Sequence, residues 1–249
     1  MSYRPARGGA GSDLMQVAPL TIVLIVVNVM VYALQARSSN IIVVMDSGTT
    51  GGAQPVQGSV DGHYGLWGPM VASGEWWRLL TSGFLHASVL HLGSNMLALF
   101  FLGRALEPAL GTLRVGLIYF VSMAAGSLGV MVLEPDALAI GASGAIFGLM
   151  GAFVIIARAR GINIMQSGIG PVILLNLALT FTIPGISKGG HIGGLIGGAA
   201  IAGILMELDR RRRFARGGAA PIVAISVAAF AGLLLVSILL ARSKFPSVG

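Results

Sequence analysis

The chain has 249 residues, of which 55% are hydrophobic and only 10% are charged. Soluble domains carry roughly 25% charged residues, so this composition predicts a membrane protein. The net charge of +7 would suggest nucleic acid in a soluble protein, but here the basic residues fall between apolar runs and no nucleic-acid-binding motif accompanies them. The chain has no cysteine, which excludes disulfides, thiolate nucleophiles and thiolate metal sites.

Apolar runs of membrane-spanning length follow one another along the chain. A helix of about 20 residues covers the roughly 30 Å of a bilayer core. The runs that we expect to form such helices are residues 17–36, 89–105, 113–133, 142–157, 169–183, 192–206 and 221–241. The first could instead be a cleaved signal peptide, but its apolar region exceeds the roughly 7 to 15 residues of such signals. The sequence therefore predicts an all-α polytopic membrane protein with a six-helix core and one additional C-terminal transmembrane helix.

These spans divide the chain into a core and short flanking segments. We expect a cytoplasmic tail at residues 1–16, the six-helix core at 17–206, a basic cytoplasmic linker at 207–220, the seventh helix at 221–241 and an outer tail at 242–249. Residues 37–88 form a long outer loop within the core, and its Gly-, Ser- and Thr-rich part, residues 47–62, should be mobile. Farther along this loop, Trp76-Trp77-Arg78 is typical of an anchor at the headgroup level.

The distribution of positive charge predicts the orientation of the helices. With the N-terminus inside, the cytoplasmic segments contain eleven of the 16 Lys and Arg residues, including the run from Arg210 to Arg213. Cytoplasmic loops are enriched in Lys and Arg, so this orientation is favoured. We expect a multi-pass protein of the plasma membrane with its N-terminus in the cytoplasm and its C-terminus outside. His91, Ser143 and His191 then all begin helices at the outer face.

Ser143 and His191 are the first candidates for chemistry. Ser143 stands where a polar loop gives way to the fourth apolar run, and the N–H groups of a first helical turn would stabilise negative charge that forms beside it. An ionisable side chain such as His191 within a span is costly and indicates function. A serine nucleophile needs a base of this kind. Alternatively, the serine is an ordinary packing residue and the histidine bonds a backbone carbonyl.

Glycines on these two spans predict that Ser143 and His191 meet. Small residues at three- or four-residue spacing let helix backbones pack closely in lipid. The glycines concerned are Gly144, Gly148 and Gly151 after the serine, and Gly190, Gly194 and Gly198 around the histidine. A close crossing of the two glycine faces would bring the imidazole to the hydroxyl.

His91 and Asn95 are four residues apart on the second span, so they share one face of a helix. Their side chains could donate hydrogen bonds to an oxyanion, together with the backbone N–H of Ser143, or they could simply hold two helices together. A metal site made by His86, His91 and His191 is a further alternative. Against it, His86 and His91 would lie about 140° apart on a helix, and no HExxH pair or nearby carboxylate completes the set.

Four short motifs follow one another in order between residues 64 and 206. They are Trp77-Arg78 in the outer loop, His91-Leu-Gly-Ser-Asn95, Gly141-Ala-Ser143-Gly144, and His191-Ile-Gly-Gly194 with Gly198. In this order they resemble the motifs of the rhomboid intramembrane serine proteases. Glu107 and the turn from Gly111 to Arg114 look similar to structural positions of that family. The chain departs from the family at Phe147, where members often have a tyrosine.

The resemblance implies a rhomboid-like six-helix core in which Ser143 is the nucleophile and His191 the general base, with no acidic third member. It also implies that His91 and Asn95 form the oxyanion site with the Ser143 amide. The expected partners are transmembrane protein substrates and the lipid bilayer, without nucleic acid, metal or cofactor. Because no carboxylate orients the imidazole, stacking on Phe147 and the glycine packing would have to do so. Cleavage is expected near the outer ends of single-span proteins, at small residues in helix-weakening sequence.

Two other functions are compatible with the sequence. A catalytically inactive rhomboid-like adaptor would bind membrane helices, but such a protein would be expected to lack the serine or the histidine, and both are present. A transporter or channel would be expected to carry more intramembrane charge than this chain has.

Overall fold

A computed structural model of the chain describes residues 18–37, 60–212 and 219–246. Within these ranges the chain is α-helical and has no strand, and an isolated β-bridge joins Leu66 to Ala139. The predicted cytoplasmic tail, most of the predicted mobile segment, and parts of the basic linker and outer tail lie outside the described residues. For the described part, the all-α prediction is confirmed.

Seven long helices in the described part occupy the seven predicted spans. They are α1 (Pro19–Arg37), α2 (Val89–Leu110), α3 (Thr112–Leu133), α4 (Ser143–Ala159), α5 (Ile169–Thr182), α6 (Lys188–Arg212) and α7 (Ala220–Lys244). Five of them are long and apolar enough to cross a membrane, whereas α4 and α5 have only 17 and 14 residues. At 1.5 Å per residue, α4 is about 26 Å long, which is less than the roughly 30 Å of a bilayer core. A side chain in its first turn can therefore lie below the membrane surface.

Consecutive helices run antiparallel, with α6 packed between α3 and α4, α7 against α3, and α1 against α2. We call one end of the bundle the basic end, because it carries Arg104, Arg114, Arg158 and Arg160. At this end an ion pair of 2.8 Å between Arg114 and Asp209 joins α3 to α6. We call the opposite end, where α4 begins with Ser143, the serine end. His91 and His191 also lie in the first turns of their helices there, which confirms that the three groups share one end.

Glu107 ties three helices together at the basic end. Glu107 is only 2% exposed. The carboxylate accepts hydrogen bonds from the backbone N–H groups of Leu20 (2.9 Å) and Thr21 (3.0 Å), and from the hydroxyls of Thr21 (2.7 Å) and Thr112 (2.9 Å). The first N–H groups of a helix have no intrahelical partner, so this carboxylate caps α1. Through Thr112 it also fixes the start of α3.

The outer loop is fastened to the segment that leads into α4. Leu66 and Ala139 exchange two backbone hydrogen bonds of 3.0 and 2.9 Å, and the N–H of Gly68 donates to the carbonyl of Pro135 at 2.9 Å. These bonds satisfy backbone groups that neither segment could pair within a helix. The segment that leads to Ser143 is therefore fixed by hydrogen bonds to the outer loop.

Arg78 has a structural role that differs from the predicted interfacial anchor. It is 2% exposed, pairs with Glu75 at 2.5 Å, and donates to the carbonyl oxygens of Gly62 (2.7 Å) and Gly65 (2.8 Å). A buried guanidinium needs such partners, because burying an unpaired charge is costly. Trp76 and Trp77 are exposed, as an anchor requires. The tryptophans and the arginine therefore face different surroundings, and Arg78 stabilises the outer loop from within.

Candidate active site

The start of α4 presents Ser143 at a sharp change of chain direction. Gly141 adopts a φ of +129°, a conformation that side-chain-bearing residues rarely reach, and its N–H donates to the carbonyl of Ser82 at 2.9 Å. The bond at the start of α4 runs from the N–H of Ile146 to the carbonyl of Ala142. The N–H of Ser143 precedes that bond, so it is a first-turn donor at the positive end of the helix dipole.

The glycine faces of α4 and α6 are in direct contact, as predicted. A methyl group added to Gly194 would overlap the backbone of Gly144, and one added to Gly198 would overlap the backbone of Gly148. The same helix also presses glycines against α3, where Gly129 and Gly189 would each collide with the other's backbone if either carried a side chain. The contact with α3 was not predicted from the sequence. It holds α6 from a second side.

The crossing of α4 and α6 brings the two candidate side chains into hydrogen-bond contact. The distance between Ser143 Oγ and His191 Nε2 is 2.8 Å. His191 is 8% exposed, and its ring stacks on Phe147 with centroids 4.0 Å apart and planes inclined by 17°. The predicted meeting of Ser143 and His191 and the predicted stacking on Phe147 are confirmed as geometry.

A hydroxyl on α5 contacts the other nitrogen of the same ring. Thr180 Oγ1 lies 2.7 Å from His191 Nδ1. From the sequence we expected packing alone to orient the imidazole, so that account was incomplete. Thr180 stands in an apolar run with no motif around it, and only the proximity of α5 to α6 reveals its contact.

His91 lies beside Ser143, across Gly141. A methyl group built on Gly141 would be 2.9 Å from His91 Nε2 and 3.6 Å from Ser143 Oγ. The N–H of Ala87 donates to His91 Nδ1 at 3.3 Å, so in the neutral ring the proton resides on Nε2. Ser88 caps α2 by accepting the N–H of His91 at 3.1 Å, which fixes the start of the helix. His91 therefore presents an N–H donor toward the space next to the serine.

Asn95 follows His91 by one turn on the same helix, as predicted. It is 7% exposed, and its Nδ2 makes no hydrogen bond to any residue in the described part of the chain. Buried amide groups are almost always paired, so an unpaired one requires a reason. No hydrogen bond joins Asn95 to Ser143. Asn95 is therefore a buried donor without a partner, on the helix that also carries His91.

His86 precedes α2 and does not lie on it, so the predicted angle of 140° between His86 and His91 was wrong. The two rings meet edge to face with centroids 5.1 Å apart. Burial and, to a lesser extent, the neighbouring His91 lower the pKa of His86 to about 3, so this ring is neutral near pH 7. Among the described residues, no three His, Cys, Asp or Glu side chains are grouped as a metal would need.

Glu134 fixes the first turn of α6 from the end of α3. Its carboxylate accepts hydrogen bonds from the hydroxyl of Ser187 (2.6 Å) and from the N–H groups of Lys188 (3.0 Å) and Gly189 (3.4 Å). A carboxylate at a helix N-terminus satisfies free N–H groups and complements the helix dipole. Because His191 follows directly, Glu134 sets the height of the imidazole along the bundle.

A small cavity opens beside the Ser143 hydroxyl. Glycine, alanine and serine residues form much of its wall: Gly83, Gly126, Ser127, Ala139, Gly144 and Gly190. Met123 and Val130 also line it. The cavity suits a small side chain.

Known proteins resemble this chain in sequence. A sequence profile described as the rhomboid domain matches residues 73–208, a range that includes every candidate residue discussed above. The chain is 42% identical over 139 residues to the rhomboid protease GluP of Bacillus subtilis (strain 168), covering 55% of this chain and 27% of that protein. It is 39% identical over 145 residues to RHOMBOID-like protein 7 of Arabidopsis thaliana, covering 56% and 46%.

A third relative matches over more of its length. The putative rhomboid protease YdcA of Bacillus subtilis (strain 168) is 38% identical over 146 residues, covering 57% of this chain and 73% of that protein. By contrast, the matches span less than half the length of the first two relatives.

Proposed function

Because the chain belongs to the rhomboid family of intramembrane proteases, we propose that it is a serine endopeptidase in which Ser143 is the nucleophile and His191 the general base. The observation that carries this proposal is the 2.8 Å contact between Ser143 Oγ and His191 Nε2 at the first turn of α4. A nucleophile and base within hydrogen-bond reach, with the base held by further groups, are what activated serine chemistry requires.

The first step is proton transfer from Ser143 Oγ to His191 Nε2 as the serine oxygen attacks a peptide carbonyl. The imidazolium then gives this proton to the leaving amine, and an acyl-enzyme remains on Ser143. Water then adds to the acyl carbon as His191 takes its proton, and His191 returns this proton to Ser143 Oγ as the acid product leaves. Stacking on Phe147 keeps the ring plane in place throughout, because the ring lies nearly parallel to the phenyl group.

We propose that three donors stabilise the oxyanion. The N–H of Ser143 belongs to the first turn of α4, His91 presents its Nε2–H across Gly141, and Asn95 Nδ2 is buried without a partner. Donors already desolvated and aimed at developing charge need no reorganisation during the reaction. The unpaired state of Asn95 supports this role over a structural one, since a residue that held helices together would use its amide.

We propose that the substrates are transmembrane helices, cleaved at the serine end. Helical backbone hides its carbonyls in hydrogen bonds, so the substrate helix has to unwind before Ser143 can attack. The small cavity beside Ser143 favours a small side chain next to the scissile bond. From the excess of basic residues at the opposite end, we propose that the serine end faces the outside of the cell.

The proposal is tested by cleavage of a single-span reporter protein in liposomes. Ser143→Ala and His191→Ala should each abolish cleavage while they keep the thermal stability of the wild type. His63→Ala is the matched control, because His63 is exposed in the outer loop and should leave cleavage unchanged. Undiminished cleavage by either active-site variant would refute the proposed mechanism.

The adaptor function makes the opposite prediction for the reporter. An adaptor would bind the transmembrane helix and leave it intact in wild-type protein. Retention of uncleaved reporter by both wild type and Ser143→Ala would favour an adaptor, whereas trapping only by Ser143→Ala would favour the protease.

A further inference from the structure

Thr180 is a buried hydroxyl at the end of a sparsely buried helix. The buried residues of α5 are Gly170, Ile173 and Thr180, and Thr180 is 0% exposed. Its Oγ1 has two neighbours, His191 Nδ1 at 2.7 Å and the carbonyl oxygen of Asn176 at 2.8 Å. The 2.7 Å contact joins the end of α5 to the imidazole that also contacts Ser143.

The number of available protons limits which atom donates and which atom accepts in these hydrogen bonds. A threonine hydroxyl has one proton to donate, and a backbone carbonyl can only accept. If Thr180 donates to Asn176, its oxygen is left to accept a proton from His191 Nδ1. The ring then carries its proton on Nδ1, and Nε2 is the lone-pair nitrogen that faces Ser143 at 2.8 Å.

The opposite direction, in which Thr180 donates to His191, leaves fewer groups with a hydrogen-bond partner. If Thr180 donated to Nδ1, the carbonyl of Asn176 would lose the hydroxyl, and the neutral ring would carry its proton on Nε2. That nitrogen could then only donate to Ser143 and could not receive the serine proton. Both neighbours of Thr180 are satisfied only when the chain of bonds runs from Ser143 through His191 and Thr180 to Asn176.

We propose that Thr180 is a positioning residue that holds His191 in the tautomer able to accept the Ser143 proton. This inference rests on the proposed protease function and adds a hydroxyl where the family resemblance implied no acidic third member. Thr180 is not acidic, so it selects the tautomer without adding charge inside the membrane, where charge is costly. The hydrogen bond also makes the readiness of the base depend on α5 lying against α6.

The kinetic test uses three variants on α5. Thr180→Val keeps the shape and removes the hydroxyl, Thr180→Ser restores the hydroxyl, and Thr182→Val removes an exposed hydroxyl that bonds only its own helix, to the carbonyl of Ala178. Loss of one hydrogen bond to a group that becomes charged should lower kcat by about 10- to 100-fold. KM should change little, since Thr180 does not face the substrate. Thr180→Ser and Thr182→Val should stay within about threefold of wild type.

The second measurement does not depend on activity. ¹⁵N NMR of protein labelled at histidine, at about pH 8 where the ring is neutral, distinguishes a proton on Nδ1 from one on Nε2. The signal of His191 is identified by its disappearance in His191→Gln. Wild type should carry the proton on Nδ1, and Thr180→Val should move it partly or wholly to Nε2.

A wild-type ring protonated on Nε2 would overturn the proposal without any variant of Thr180. So would a kcat of Thr180→Val within twofold of wild type, or a fall in kcat with the tautomer unchanged. If Ser143→Ala still cleaved the reporter, the protease mechanism would fail while the tautomer measurement kept its meaning. The two proposals can therefore fail separately.

Discussion

Glu107 and Asn95 are buried polar side chains on the same helix, α2, but they differ in their hydrogen bonding. At the basic end, Glu107 accepts four hydrogen bonds from α1 and α3. At the serine end, Asn95 Nδ2 has no partner among the described residues. A buried polar group with every bond made stabilises the fold, whereas an unused one costs stability and is kept for another reason. On α2, the carboxylate with every bond made is therefore structural, and the amide nitrogen without a partner is the catalytic candidate.

The two ends also differ in how closely α6 approaches its neighbours. Gly194, in the half of α6 toward the serine end, has no space for a methyl group against Gly144. Gly203, in the half toward the basic end, has no atom within 4 Å of the position that its Cβ would take. Backbone contact at the serine end sets the distance between Ser143 and His191. At the basic end, side chains such as Glu107 and Arg114 join the helices instead.

The largest effect is expected when the close crossing is broken. Gly194→Val should leave no measurable cleavage and should lower the melting temperature, because the new side chain forces α4 and α6 apart and parts Ser143 from His191. Gly203→Val adds the same atoms to the same helix in open space and should retain both activity and stability. Equal loss in the two variants, measured by reporter cleavage and thermal unfolding, would show that the local crossing is unimportant.

Removal of Glu107 should mainly reduce stability. Glu107→Ala leaves buried donors of α1 and α3 unpaired, at roughly 1–3 kcal/mol each, so the free energy of unfolding should fall by roughly 3 to 5 kcal/mol. The protein that remains folded should keep most of its activity per molecule. Glu207→Ala removes an exposed carboxylate at the same end, paired with Arg210 and Arg211, and should change stability little. Denaturant titration measures both variants.

Removal of Asn95 should reduce activity with little change in stability, the reverse of Glu107. Loss of one oxyanion donor typically lowers kcat by about 10²- to 10³-fold. Asn95→Ala should therefore show that fall in reporter cleavage while its melting temperature stays near the wild-type value. The neighbouring exposed Ser94→Ala is the control. Full activity of Asn95→Ala, or a stability loss that accounts for all of its inactivity, would contradict the contrast between the two ends.

The smallest effect concerns pH. Because the pKa of His86 is about 3 in the folded protein and about 6.5 when exposed, its stabilising contribution is complete above about pH 6.5 and is lost as pH falls toward 3. The cost approaches about 1.4 kcal/mol per pH unit at most. The melting temperature of wild type should therefore fall between pH 7 and pH 4 more steeply than that of His86→Asn, as thermal scans would show.

Asp61 also affects the pH dependence. Burial raises its pKa, which gives the opposite slope, so only the difference between wild type and His86→Asn reports on His86. If the melting temperatures of wild type and His86→Asn fell equally between pH 7 and pH 4, this result would contradict a neutral, buried His86.

The sequence predicted the helices and the central pair for identifiable reasons. Apolar runs of span length located α1 to α7 because a bilayer core requires them. The glycine spacing around Ser143 and His191 located their meeting because small residues permit close crossing. The four-residue distance from His91 placed Asn95 one turn farther along the same helix, where the structure has it.

Other contacts were hidden because they depend on how separate segments come together. Thr180 stands 11 residues before His191, beyond the turn at Pro184, and nothing in the sequence states that this turn returns its hydroxyl to the ring. Arg78 was grouped with Trp76 and Trp77 because the three are adjacent, although its guanidinium turns inward to the carbonyls of Gly62 and Gly65. Contacts of this kind between separate segments leave no periodic pattern in the sequence.

The most direct test of the central claim is mass-spectrometric detection of a fluorophosphonate adduct on Ser143 in folded protein. Only a serine activated by a base reacts readily with this reagent. The adduct should form on wild type at Ser143 and be absent from Ser143→Ala and from His191→Ala. An unmodified Ser143 in folded wild-type protein, or equal labelling of Ser143 in His191→Ala, would contradict the account.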